Sequence, residues 1–288
     1  MLVSLDLDES TEDEVVAVYD VAGTLIRIKS KPAVARGAGE DDGDGGDAGG
    51  GGDGAEASAT APSAPLPTQA KYLNVGLVLW QAGLVAADWI IRHRMRPPAS
   101  TDDDGATAGT TAPSPLTVIE LGAGVGQCGI ALAKAGAARV VMTDLPHIVP
   151  LAEENARLNG FTSSPSSSLA CVPYTWGDDA APVLEALRRG GEGATQWPDL
   201  VVAADCLYEP RVYPVLLQAI GSVSGPHTRV VLCHRLRVYD EKGFEEAAAA
   251  EAGGGWEVRA APNEELHADY ACGGWRLVEM TRRGGEVG

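Results

Sequence analysis

Short apolar, β-branched runs alternate with stretches in which apolar side chains recur every three or four positions, and this alternation governs the chain from about residue 116 onward. Residues 116–121 form one such run. Across the glycines that follow, the spacing changes to that of a helix at Ile130, Ala131 and Ala135, and a second apolar run ends on Asp144. The change of period predicts a strand, a glycine-rich turn, a helix and a second strand. Downstream it predicts helices over 146–159, 181–189, 212–222 and 244–252, and strands over 169–174, 199–204, 229–233, 256–259 and 275–281. A proline in the first turn and Gly160 after the last residue frame the first of those helices. Regular alternation of strand and helix requires a mostly parallel sheet covered on both faces. No helix is expected between the last two strands, so an antiparallel hairpin should close the sheet edge.

Upstream the pattern is looser. Residues 15–29 alternate around a turn at Ala22, Gly23 and Thr24, which predicts a β-hairpin with Val16, Val18, Leu25 and Ile28 as its apolar contacts. Residues 75–93 have the spacing of an amphipathic helix, with Val78, Leu79, Ala82, Val85, Ala86, Trp89 and Ile90 sharing a broad face and Trp80 near the start. Between these segments, residues 37–68 are Gly, Asp, Ala, Ser and Pro with hardly a large apolar side chain. Such a stretch cannot offset the entropy of ordering and is expected to be a disordered linker, as is a second insertion at 97–115. The expected organisation is a hairpin extension over 1–36, an acidic linker over 37–70, and one α/β domain over 71–288.

Composition sharpens this picture in two places. The net charge of −18 is largely local, because residues 1–56 hold fourteen of the forty acids. No clustered Lys and Arg surface is in view to bind nucleic acid phosphates, and the balance suits a basic protein partner. The five cysteines, at 128, 171, 206, 233 and 272, are far apart without metal spacing, which predicts reduced, buried thiols. With no signal-peptide core and no apolar run of ~18 residues, a soluble cytoplasmic or nuclear protein is expected, with no membrane partner.

The candidate chemistry centres on 118–144. Gly124, Gly126 and Gly129 satisfy the dinucleotide fingerprint G-x-G-x-x-G, with Asp144 at a distance suited to ribose hydroxyls. An equally valid register is Glu120-x-Gly122-x-Gly124-x-Gly126, an acid followed by alternate glycines. Both registers imply a cofactor bearing a nucleoside. Ligands of open α/β sheets bind outside the carboxyl ends of the strands, which brings Trp176-Gly177 and Asp205-Cys206-Leu207-Tyr208 to the same cleft. The competing readings are core packing for Trp80 and Trp176, and a helix cap for Asp205, since Glu209-Pro210 follows. Trp89, Trp197, Trp256 and Trp275 read as structural. Arg235 and Arg237 follow the strand at 229–233, and their alternatives are a substrate entrance or solvated charge. The five histidines, His234 among them, have no ligand spacing, and no phosphate-binding Gly-x-x-x-x-Gly-Lys loop is present.

Taken together and in this order, Trp80, Glu120 to Gly126, Asp144, Trp176-Gly177 and the Asp-x-x-Tyr of Asp205 and Tyr208 resemble one group over roughly 72–282. The chain looks like the seven-β-strand protein-lysine methyltransferases that modify molecular chaperones and the valosin-containing ATPase. The resemblance implies a Rossmann-like S-adenosylmethionine-dependent methyltransferase fold, a mostly parallel seven-stranded sheet with helices on both faces. It implies S-adenosylmethionine as cofactor and a protein substrate, a chaperone or ATPase by class; a monomer that binds no nucleic acid is expected. Gly122, Ala123 and Gly124 would then pass under the methionine and ribose, Glu120 would belong to the same cofactor motif, and Asp144 would accept the ribose hydroxyls. Trp176 would lie on the adenine, the Ala204 backbone would meet the cofactor, and Trp80 would close the pocket. Asp205 and Tyr208 would orient the acceptor nitrogen. Asp-Cys-Leu-Tyr lacks the Pro-Pro of enzymes that methylate planar amide or base nitrogens, which weighs against a nucleic acid base. The two insertions and the serine-rich loop at 160–168 depart from the group's pattern. Other acceptors, a nicotinamide-dependent oxidoreductase and a cofactor-binding scaffold without activity remain the alternatives.

Overall fold

A computed structural model describes residues 2–6, 14–32, 75–95, 115–189, 196–236, 241–250 and 255–283. The expected linker at 37–68, nearly all of the insertion at 97–115 and Arg237 lie outside the described residues. The chain runs through β1 (Leu2–Asp6), β2 (Val15–Val21), β3 (Thr24–Ser30), α1 (Gln81–Ile90), β4 (Thr117–Leu121), α2 (Gln127–Lys134), β5 (Arg139–Asp144) and α3 (Val149–Leu158). It continues through β6 (Leu169–Pro173), α4 (Ala181–Arg188), β7 (Leu200–Ala204), α5 (Tyr213–Val223), β8 (Arg229–Arg235), α6 (Glu241–Ala250), β9 (Trp256–Ala260), α7 (Ala268–Ala271) and β10 (Trp275–Arg282).

Seven of these strands form one sheet in the order β6-β5-β4-β7-β8-β10-β9, parallel except for β10, which is antiparallel to both neighbours. The expected Rossmann-like α/β architecture is therefore present, with the antiparallel pair at one edge. A short helix, α7, does interrupt the connection between β9 and β10, where none was expected.

Strand alternation explains the two cores. Val118, Val140, Val202 and Val231 face α1, α2 and α3, while their neighbours Ile119, Val141, Val201 and Val230 face α4, α5 and α6. The period of two also decides where Glu120 goes. It follows Val118 onto the α2 face and is 1% exposed.

The N-terminal segment forms a three-stranded sheet, β1-β2-β3, rather than a simple hairpin. The turn between β2 and β3 has two residues, Ala22 and Gly23, both with positive φ, as the tight hairpin turn that matches strand twist demands. Val16 and Ile28 are buried as expected and Val18 is half-buried, but Leu25 is 53% exposed and Ile26 is buried in its place. Leu25 and Ile28 lie three residues apart and cannot share one face of a strand.

Helix α1 begins at Gln81, later than expected, because Trp80 is extended (φ −104°, ψ 123°) and residues 75–77 form a separate tight turn. Every α1 residue after Gln81 is buried, since α1 packs between the main sheet and β2. Its end widens into a π turn, Ile91–Met95. There Arg94 donates to Glu279, a buried carboxylate that also takes Arg259, and the two guanidiniums hold its pKa below the usual range against the opposing effect of burial.

Cys128, Cys206 and Cys233 are buried free thiols, whereas Cys171 is half-buried and Cys272 is exposed, which corrects the expectation for those two. Trp89 and Trp256 are fully buried, consistent with structural roles. No helix among the described residues is long and apolar enough to cross a membrane.

Candidate functional site

The strand order reverses between β4 and β7, and a crevice forms outside the carboxyl ends of the strands at such a point. The sequence places its candidate residues there. The loop after β4 holds Gly122, Ala123 and Gly124, β5 ends on Asp144, β6 leads into Trp176, and β7 leads through Ala204 into Asp205 and Tyr208.

The glycine loop is a left-handed path, with φ of +67° at Gly122, +57° at Gly124 and +85° at Gly126. Side chains would strain this backbone, and space forbids one at Gly122 in any case. A Cβ there would lie 2.8 Å from Cys206 Sγ and 3.2 Å from the Trp176 ring. That close approach joins the loop, the Trp176 indole and the Asp205 segment in one place. Gly126 ends the loop as the N-cap of α2. The loop turns back to β5, where the Ala123 amide donates to the Thr143 carbonyl (2.9 Å).

Asp144 is fixed by two main-chain donors. Oδ2 accepts the Gly124 amide and Oδ1 accepts the Leu145 amide, both at 2.7 Å. Burial raises its pKa, and the two amides oppose that rise. Each carboxylate oxygen retains lone-pair capacity beyond its amide, so the group is oriented to accept a vicinal diol.

Glu120 lies beneath the loop. Its Oε2 accepts the Gly129 amide in the first turn of α2 (2.8 Å), so it acts on the site by holding the loop-to-helix junction. Burial, with the nearby charge of Asp144, pushes its pKa up to about 8 against the opposing Gly129 hydrogen bond.

Asp205 has φ +58°, a left-handed conformation that non-glycine residues seldom adopt and that Asp and Asn tolerate best. Its amide donates to the Cys233 carbonyl (2.7 Å), continuing the β7 to β8 pairing one residue past the strand. Backbone strain of this kind concentrates where a side chain must be aimed. The helix-cap alternative does not hold: Glu209 caps the following turn, its carboxylate accepting the Arg211 amide. Cys206 and Leu207 point inward and are buried, while Asp205 and Tyr208 on either side are half-buried. The Tyr213 hydroxyl pins this turn from below by donating to the Leu207 carbonyl (3.3 Å).

Trp80 is 40% exposed, and its indole N–H donates to the Val75 carbonyl (2.8 Å). The turn that carries it closes over the loop: a Cβ on Gly124 would stand 3.2 Å from the Gly76 carbonyl oxygen. Gln127 ties it down, its Nε2 donating to the Trp80 carbonyl (3.0 Å). Gln127, Gly76 and Tyr213 are absent from the sequence reading, because their signal is a contact across the fold and not a motif. Arg235 is exposed over the Trp275 ring, and His234 is buried within β8. Among the described residues no group of His, Cys, Asp or Glu is placed to hold a metal ion. A groove of about 800 Å³ along α5 and α6, lined by Tyr213, Leu217 and Arg282, contains none of the residues named for the cofactor.

A family model described as lysine methyltransferase matches residues 66–250. Among curated proteins, the chain is 33% identical over 120 residues to EEF1A lysine methyltransferase 3 of Xenopus tropicalis, covering 42% of this chain and 47% of that protein. It is 33% identical over 149 residues to the protein N-terminal and lysine N-methyltransferase efm7 of Aspergillus fumigatus, covering 50% and 49%. With the protein N-lysine methyltransferase METTL21A of Danio rerio it shares 32% identity over 174 residues, covering 60% and 67%. The chain thus spans about half the length of the first two of these relatives.

Proposed function

This chain belongs to the lysine methyltransferase family, and from that premise we propose that it transfers a methyl group from S-adenosylmethionine to the ε-amine of a lysine in a protein substrate. The observation that carries the reading is the convergence, at the carboxyl ends of β4, β5 and β7, of a side-chain-free glycine loop, an anchored carboxylate and a strained Asp205.

The residues fit the cofactor. Asp144 would accept its ribose hydroxyls, the Trp176 face suits its adenine, the Ala204 backbone at the end of β7 would meet it, and Gly122 to Gly124 leave room for its ribose and methionine portions. Trp80 would cover the methionine end, where an aromatic face suits a sulfonium cation. When bound, the cofactor supplies a methyl group on a positively charged sulfur, an electrophile for in-line attack.

The protein's work falls on the acceptor. Lysine is normally protonated, and bringing an amine of pKa ~10.4 to neutrality at pH 7 costs about 4.6 kcal/mol. One proton therefore leaves for water before attack. The neutral nitrogen would then be held with its lone pair toward the methyl group that the cofactor supplies. The Asp205 carboxylate would accept hydrogen bonds from the nitrogen and aim its lone pair, with Tyr208 fixing the second direction. A carboxylate favours the charged ammonium, so Asp205 serves as an orienter and not as a strong base. Positioning of this kind supplies a large share of the acceleration.

The partner follows the same reading: a protein that presents a lysine, met by a monomer in the cytoplasm or nucleus, a chaperone or ATPase by class. The named relatives act on EEF1A or carry protein N-terminal and lysine activity, and they favour a protein amine over a small molecule. Calorimetry tests the cofactor assignment. S-adenosylhomocysteine should bind the unmodified protein, and Asp144→Ala should weaken binding by about two decades or more, because it loses two hydrogen bonds to a charged group worth about 1.5–3 kcal/mol each. Tight binding of NAD, with none of S-adenosylhomocysteine, would return the glycines to the dinucleotide register.

A further inference from the structure

A side chain of α3, Asn155, ties the N-terminal sheet to the glycine loop. Helix α3 presents Asn155 and Asn159, four residues and about 6 Å of helix apart. Strand β3 presents Lys29 and Arg27 on the edge away from β2, two residues and roughly 6.7 Å apart. The spacings match, and each asparagine pairs with one strand residue as a neighbouring strand would. Asn155 Oδ1 accepts the Lys29 amide (2.7 Å) while its Nδ2 donates to the Lys29 carbonyl (2.9 Å). Asn159 Oδ1 accepts the Arg27 amide (2.9 Å) and its Nδ2 donates back to the Arg27 carbonyl (2.6 Å). Because Oδ1 of each must face an N–H, these partners fix which end of each amide is nitrogen.

The two asparagines differ in where the second amide hydrogen goes. Asn159 spends it within its own helix, on the Asn155 carbonyl (2.8 Å). Asn155, fully buried, spends it on the Val125 carbonyl (2.8 Å), in the middle of the glycine loop. Val125 follows Gly124, whose amide reaches Asp144, and precedes Gly126, the N-cap of α2. Just past β3, the Lys31 amide donates to the Leu77 carbonyl (2.9 Å), in the turn that closes over Gly124 from the other side. The N-terminal sheet thus grips both sides of the loop, one of them through Asn155.

We propose that Asn155 is a positioning residue for the cofactor site, which fixes the Val125 peptide so that the Gly124 amide stays on Asp144, and that the N-terminal sheet is a working part of that site. The inference rests on the cofactor reading above and extends it to strand β3, more than ninety positions before the glycine loop. Asn155→Asp keeps the shape and the acceptor for Lys29 but loses both donors and sets a carboxylate against two carbonyls. Asn159→Asp does the same damage to the strand anchor without touching the loop. Calorimetry with S-adenosylhomocysteine should find Asn155→Asp weakened at least tenfold and Asn159→Asp within twofold of the unmodified protein, while both lower the melting temperature.

A folded Asn155→Asp that binds S-adenosylhomocysteine as the unmodified protein does, or equal weakening by both variants, would overturn the proposal. Should Asn155→Asp not fold, amide hydrogen exchange on the unmodified protein decides. Coupling is reciprocal, so saturating S-adenosylhomocysteine should slow exchange at the Lys29 amide severalfold. Unchanged exchange there would then overturn the proposal. Failure of the unmodified protein to bind S-adenosylhomocysteine would instead sink the cofactor reading itself.

Discussion

Asp205→Asn should lower methyl transfer by about a hundredfold to a thousandfold while leaving affinity for S-adenosylhomocysteine within about threefold, since the loss falls on orientation of the acceptor. Asparagine is the informative replacement because of the backbone. At φ +58° both Asp and Asn are tolerated, so the substitution removes the charge and one acceptor without disturbing the turn. Asp205→Ala confounds the two effects. Alanine in that conformation costs roughly 1–2 kcal/mol, which in a chain of this size lowers the melting temperature by a few degrees. Single-turnover assays with saturating cofactor, paired with melting curves, separate the contributions. Turnover of Asp205→Asn near that of the unmodified protein would show that the carboxylate does not orient the nitrogen.

The second large effect is on stability and comes from Glu120. Its folded pKa of about 8 exceeds its ordinary value of 4.5, so between those limits the folded state binds more protons than the unfolded one. Stability contributed by this group is fully present below pH 4.5 and is lost as the pH rises through about 8. The loss is on the order of a few kcal/mol, or about a thousandfold in the folding constant. Asp144, whose pKa is also raised, adds to the same slope, whereas Glu279, whose pKa is lowered, loses its contribution only on acidification. Glu120→Gln keeps an acceptor for the Gly129 amide and cannot ionise. Its melting temperature should therefore fall much less steeply between pH 5 and 8 than that of the unmodified protein and should exceed it at pH 8. Parallel slopes in the two proteins would contradict the assignment.

How much of this was legible in the sequence depended on whether the cause was local. The strands and helices of the main sheet could be read because a change of period survives in any window of a dozen residues. The cofactor loop could be read because Gly122 and Gly124 mark turns that other residues resist. Helix α1 was placed too early, since Val78 and Leu79 continue its apolar spacing although the backbone at Trp80 is extended. Glu120 was legible as part of a motif, but not as the support beneath the loop, which follows from the face that β4 turns toward α2. Asn155 left no mark at all. It looks like an ordinary polar helix residue until β3, 126 positions earlier, lies against it. The left-handed backbone at Asp205 likewise depends on how β7 exits the sheet beside β8.

The measurement that tests the central claim most directly is transfer of labelled methyl groups. The purified protein and its Asp205→Asn variant would be incubated with methyl-labelled S-adenosylmethionine and a cell lysate, and the labelled species identified by mass spectrometry. The expected result is label on the lysine ε-amine of one or a few proteins, strongly reduced with the variant. Label on nucleic acid, or on protein side chains other than lysine, or label of equal intensity with both proteins, would contradict it.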